Sequence, residues 1–355
     1  MTPRDKLLEE LFFELIQYNT PHGTEATCYP IIESIVGPLS NHIDSDGNIH
    51  IHIPGEHDDI CFMSHLDAAC RTYQKIPVKV SAAGIATKGK TAVPGVLGAD
   101  DKSGAAIMLR MLVDEYPGHY MFFAGEERGC IGSRAFVKRT EATFDKNYGW
   151  KQAVSLDRYG TSEVIYRQRG SDTASKTYAD ALAAQLGLKS SSGGLFTDSA
   201  VFDGIVPECV NVSVGYKGHH SDRESQDLYF LSRIWRKLVA TEWTELPIYR
   251  DPDAPVVAVK PPYRPVSPVC ARPKPPLALA DDSSVAKVSQ DEWEAWADRF
   301  WNTEERSHRT VDNPFEGMNA PEAIQFYEEN LTRFDWTDEQ KDEVIHFYEN
   351  MRCVG

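Results

Sequence analysis

Ile60-Cys61-Phe62-Met63-Ser64-His65-Leu66-Asp67 runs four apolar residues straight into a histidine and an aspartate. A short continuous apolar run reads as a strand buried on both faces, the kind that builds parallel sheets. Its polar end is where such sheets place ligands, at the carboxyl ends of strands. The same pattern recurs. Tyr120 to Ala124 leads into Gly125-Glu126-Glu127-Arg128-Gly129, Ala153 to Leu156 leads into Asp157, and Cys209 to Val214 passes through Gly215-Tyr216-Lys217-Gly218 into His219-His220-Ser221. A fifth acidic pair, Asp100-Asp101, sits in the glycine-flanked loop Gly98-Ala99-Asp100-Asp101-Lys102-Ser103-Gly104, opening a helix.

Working outward, further strands are expected at His50–Ile53 and Val164–Tyr166, and helices over Gly104–Glu115, Ser133–Arg139, Ser175–Leu186 and Leu228–Glu242. A first helix is carried by Leu7, Leu8, Leu11, Phe12, Leu15 and Ile16 at three- and four-residue spacing. This alternation predicts an α/β domain over residues 1–250: a mixed, mainly parallel sheet in three layers, with helices on both faces. Nine prolines between Asp251 and Pro276 then exclude helix and central strand. Residues 251–280 are therefore expected to be an extended linker. Residues 281–355 read as a small helical C-terminal region, with Trp293, Trp296, Ala297 and Phe300 on one helical face and amphipathic stretches at Pro321–Asn330 and Thr337–Met351. The Trp and Phe stripe reads as helix core, and the region carries no recognisable chemistry.

Composition narrows the partners. The chain has 355 residues and a net charge of −16, with no basic stripe to neutralise phosphates, which argues against nucleic acid. No apolar run approaches the roughly 20 residues of a membrane span. The first ten residues are charged throughout, unlike an export signal. Seven cysteines lie far apart with no C-x-x-C pair, the usage of a reducing compartment. The expectation is a soluble, cytoplasmic protein with no membrane partner.

The spacings have mechanical consequences. In an extended segment residues i and i+2 point the same way, so Asp67 can take one ring N–H of His65 while the other nitrogen binds a metal. Glu126 and Glu127, adjacent at a strand end, diverge and can take different jobs. Two histidines with several carboxylates suit borderline divalent metals, zinc above all. Two such ions need a shared carboxylate, which an aspartate in a tight loop can supply. Each donor also has an ordinary alternative: His65 as a packed histidine, the glutamate pair as a solvated loop, Asp157 as a cap or turn residue, His219 in place of His220, and Asp198 as a structural cap.

Taken together, His65-Leu66-Asp67, the Gly98–Gly104 loop, Gly125–Gly129 with Ile131-Gly132-Ser133, Ser-Leu-Asp157 and His220-Ser221-x-x-Glu224 resemble the co-catalytic di-zinc exopeptidases, the single-domain zinc aminopeptidases and peptidase T-like tripeptidases. The resemblance covers roughly residues 5–245. It implies that His65 and Asp157 hold one zinc, Glu127 and His220 the other, with Asp100 bridging and Co2+ or Mn2+ as substitutes. It further implies Glu126 as general base on the attacking water, Asp67 as the residue orienting His65, and a cis peptide between Asp100 and Asp101. Asp198, in Gly193–Ser199, resembles a pocket segment of the family. Two departures stand out. Only 62 residues separate Asp157 from His220, too few for the inserted lid of some branches. Where the single-domain aminopeptidases often carry an oxyanion-stabilising tyrosine, this chain has His219, with Tyr216 nearby. An aspartate at position 157 resembles the aminopeptidase branches more than the carboxypeptidase branch. The implied activity is metal-dependent removal of N-terminal residues from peptides. The alternatives are an amidohydrolase, deacylase or carboxypeptidase on small acylated amino acids, and a non-catalytic binding protein on a peptidase scaffold.

Overall fold

The computed structural model describes residues 3–91 and 93–251. The expected linker, beyond Asp251, and the expected helical region at 281–355 lie outside the described residues. Seven strands form the central sheet: β1 (Ile49–Ile53), β2 (Ile60–His65), β3 (Gly118–Phe123), β4 (Gln152–Arg158), β5 (Glu163–Ile165), β6 (Lys189–Ser191) and β7 (Glu208–Ser213). Their spatial order is β6-β5-β7-β4-β2-β3-β1. The four central strands, β7, β4, β2 and β3, are mutually parallel. β1 closes one edge antiparallel to β3, and β5 runs antiparallel to β7 at the other side.

Among the described residues the six longer helices that cover the sheet are α1 (Lys6–Leu15), α2 (Tyr29–Val36), α3 (Ala99–Val113), α4 (Ile131–Thr140), α5 (Lys176–Leu186) and α6 (Leu228–Val239). The side-chain alternation of β2 shows why there are three layers. Ile60 and Phe62 join residues of α1, α2, α3, α5 and α6 in one apolar cluster, while Cys61 and Met63 join Phe136 of α4, Phe144, Trp150 and Phe202 in a second. The mainly parallel α/β architecture expected from the sequence is borne out. Sequence signals at helix starts also operate: Asp5, Ser175 and Asp227 each accept a backbone N–H three residues on, at α1, α5 and α6.

Two features decide where the site lies. Helix α3 opens with Asp100 and Asp101 outside helical dihedrals, and their peptide bond is cis. A second, antiparallel sheet pairs Tyr216–Lys217 with Ser225–Asp227, then Ile85–Lys88, then Val78–Val80. It was not among the expected strands, because runs of two to four residues are too short to show a period. The turn between its first two strands carries His220. Residues 158–219 are spent on β5, β6, β7, α5 and their connections, so no separate lid is inserted there. Among the described residues no helix is long and apolar enough to cross a membrane.

Candidate metal centre

Asp100 stands between two histidines. His65 Nε2 lies 3.3 Å from Asp100 Oδ1 and 3.8 Å from Asp157 Oδ1. His220 Nε2 lies 3.4 Å from the other oxygen, Asp100 Oδ2, and 3.0 Å from Glu127 Oε2. The two oxygens of one carboxylate thus face different imidazoles, each of which has one further carboxylate beside it. The halves adjoin, since ligand atoms of His65, Asp100 and Glu127 lie within 4.8 Å of one another. Glu126 also approaches the first half, its Oε2 3.9 Å from His65 Nε2, and among the described residues it forms no ion pair with His220.

The supports of these groups come from distant parts of the chain. Asp67 accepts the backbone N–H groups of Glu126 at 3.0 Å and Glu127 at 3.2 Å, and His65 Nδ1 lies 3.1 Å from its backbone carbonyl and 3.3 Å from its Oδ1. It therefore fixes both the histidine ring and the glutamate turn. Glu224, also buried, accepts the N–H of Gly98 at 2.8 Å and of Asp100 at 2.9 Å, clamping the Asp100 loop from the small sheet. Asp157 receives the Thr197 hydroxyl at 2.6 Å on Oδ2 and the Tyr216 hydroxyl at 3.0 Å on Oδ1. Asn211 exchanges hydrogen bonds with the backbone N–H and carbonyl of Asp157 across β4 and β7.

Sequence reasoning missed Thr197 and Asn211 as supports, and it marked Glu224 by its spacing from His220 without assigning what it holds. Their bonds to the Asp100 loop and Asp157 join residues far apart in the chain, which spacing cannot show. Of the contacts expected near substrate, Tyr216 has its hydroxyl committed to Asp157 and so positions that carboxylate. His219 is wedged between rings, stacked on Tyr159 and edge-on to Tyr216 and His220. Asp198 is buried and accepts the Ser133 hydroxyl at 2.6 Å. A further donor group unremarked in the sequence, His22, Glu25 and Asp67, also falls within 4.8 Å. There His22 Nδ1 is 2.8 Å from Glu25 Oε1, and Asp67 is already engaged by the glutamate turn.

Electrostatically the cluster is short of positive charge. Burial foremost, then neighbouring carboxylates, push Glu126, Asp157 and Asp101 well up, and burial raises Glu127 too. Burial opposes charge on His220, yet the carboxylates of Asp100 and Glu127 overcome it and raise the ring to about 11. His65 is likewise raised, by Asp100 and Asp67 against burial. Burial lifts Asp198 to about 7 and Glu224 to about 7. Glu127 Oε1 is a buried oxygen with no hydrogen-bond partner, an arrangement costing about 1–3 kcal/mol or more if left so. Two imidazoles, three carboxylates and an orphaned carboxylate oxygen fit a pair of divalent cations.

Residues 48–203 match the model of peptidase family M28. That stretch is therefore similar to peptidase family M28. The M28 match contains His65, Asp100, Glu126, Glu127 and Asp157, while His220 lies beyond it. An uncharacterized Bacillus subtilis protein, YqjE, is 30% identical over 154 residues, covering 38% of this chain and 40% of that protein. The match thus spans less than half of that relative. In fold, the chain is similar to a tripeptidase from Staphylococcus aureus (TM-score 0.52, 15% identity, 66% of this chain and 96% of that one). It is also similar to the aminopeptidase PepT from Bacillus cereus (TM-score 0.51, 16% identity, 66% and 96%). The expected likeness to the co-catalytic zinc exopeptidases is borne out.

Proposed function

We propose that this chain is a zinc-dependent peptidase that removes N-terminal residues from peptides. The observation that carries the reading is the placement of the two Asp100 oxygens against His65 and His220. His65 and Asp157 would hold one ion and Glu127 and His220 the other, with Asp100 shared. Zinc suits this donor set best, with Co2+ or Mn2+ as substitutes. When bound, the cations polarise the scissile carbonyl and lower the pKa of water toward neutrality.

The protein's own groups do the rest. Glu126 takes the proton of the attacking water and delivers it to the leaving amine. Asp67 keeps the Nδ1–H of His65 occupied, so that Nε2 faces Asp100. Tyr216 and Thr197 hold Asp157 by both oxygens, which fixes the carboxylate plane.

The test is a panel of short peptides offered to the zinc-loaded full chain, each with its N-terminus free or acetylated and its C-terminus free or amidated. Release of the first residue only from free N-termini, abolished by chelation, is expected. Hydrolysis of N-acetylated amino acids instead would point to a deacylase. Loss of activity on C-terminal amidation alone would point to a carboxypeptidase, and tight binding without cleavage to a binding protein.

A further inference from the structure

Histidines also gather at the opposite end of the sheet from the metal centre, around the antiparallel pair of β1 and β3. His52 and His119 are cross-strand partners, and their rings stack with centroids 4.0 Å apart and planes 3° from parallel. His50, two residues along β1, brings its Nε2 to 2.9 Å from His119 Nδ1. Edges of Tyr148 and Trp150 close on the His50 ring, and the buried His119 lies against Trp150. His42 bonds through Nδ1 to the His50 carbonyl at 3.2 Å.

We propose that His50 and His119 form an acid-operated latch that holds the edge strand β1 on β3 while their rings are neutral and releases it when they are charged. A hydrogen bond between two imidazoles needs one N–H and one lone pair. With both His50 and His119 charged, two N–H groups face each other across 2.9 Å, and the bond is lost to repulsion.

The anions nearby are already engaged. Asp58 is held by His52 Nε2 at 3.0 Å and the Gly55 N–H at 2.8 Å. Asp44 pairs with Arg139 and Asn48. The other ionisable group facing the cluster, the Tyr148 phenol, is raised by burial. Burial first, then His119, His52 and His42, hold His50 down to about 3 against Asp44. Burial first, then His52, hold His119 down to about 4 against Asp58. Both values lie below the ordinary value near 6.5. The stabilisation is therefore complete above about 6.5 and is lost as pH falls toward the folded values. The latch acts on the strand that delivers the catalytic turn, since β3 runs through Ala124 into Glu126 and Glu127.

Hydrogen exchange of the zinc-loaded full chain, corrected for intrinsic rates, tests this at pH 7 and pH 5. Protection of the β1 and β3 amides should fall about 30-fold for each ring that gains a proton on opening, with β4 and β7 unchanged. Replacing both rings (His50→Gln with His119→Gln) should remove the pH dependence. Equal protection at both pH values, loss across the whole sheet together, or a pH dependence that survives the double substitution would overturn the latch. Should that variant not fold, a histidine NMR titration of the wild type decides. Rings of His50 and His119 still neutral at pH 5 support it, and titration near 6.5 contradicts it.

Discussion

Glu126 and Glu127 are neighbours of the same type in different surroundings, and that difference is the sharpest test of assigned roles. Glu127 faces His220 at 3.0 Å, whereas Glu126 comes no nearer than 3.9 Å to His65. Glu126→Gln should keep both metals and the fold while lowering kcat about 10²–10⁴-fold, because the amide keeps the shape but accepts no proton at neutral pH. Glu127→Gln should lose one metal equivalent. Metal content and kcat measured on both variants separate the roles, and metal loss from Glu126→Gln would exchange them. Tyr216→Phe removes a hydrogen bond to Asp157 and should weaken zinc binding about 10–100-fold in a competition titration. An unchanged affinity would remove Tyr216 from the support of that ligand. The residues proposed as donors stood out in the sequence by residue type and by their position at strand ends or, for Asp100, in a glycine-flanked loop. Asp67 was legible as a support, and Glu224 was marked by its spacing from His220, but what Glu224 holds was not, since it reaches Gly98 across 126 positions.

At the scale of elements, β2, β3, β4 and β7 were legible because strands buried on both faces read as continuous apolar runs. The small sheet under His220 was not, because its strands are too short to carry a pattern. Nor was the short edge strand β6, Lys189–Ser191, whose polar residues give no apolar run. Packing at element junctions is equally hidden, and Gly132 illustrates it. Asn48, just before β1, receives the Ala124 N–H and donates to the Gly132 carbonyl, which ties β1, the end of β3 and the start of α4 together. A Cβ on Gly132 would sit 2.0 Å from Asn48 Oδ1 and 2.6 Å from the Ala124 carbonyl. Gly132→Ala should therefore destabilise the protein by about 1–3 kcal/mol, as overpacking does, measured by denaturant unfolding. A change below about 0.5 kcal/mol would mean that the junction relaxes freely.

Across the whole molecule, the dominant tension is a buried carboxylate cluster that requires compensating positive charge. In the metal-free protein the raised carboxyls of Glu126, Glu127, Asp101 and Asp157 contribute stability below their unfolded values near 4, lost as pH rises through their folded ones. The raised His65 and His220 act in the same direction from about 6.5 upward, and the lowered Asp100 opposes them. The gap in Tm between zinc-loaded and chelated protein should therefore widen from pH 5 to pH 8, as calorimetry would show; a constant gap would mean that the cluster does not drive metal uptake. The most direct test of the proposed two-ion centre is anomalous diffraction at the zinc edge from crystals of the loaded protein. Two peaks are expected, one against His65 and Asp157 and the other against Glu127 and His220, both touching Asp100. A single peak, or zinc lodged instead among His22, Glu25 and Asp67, would contradict it.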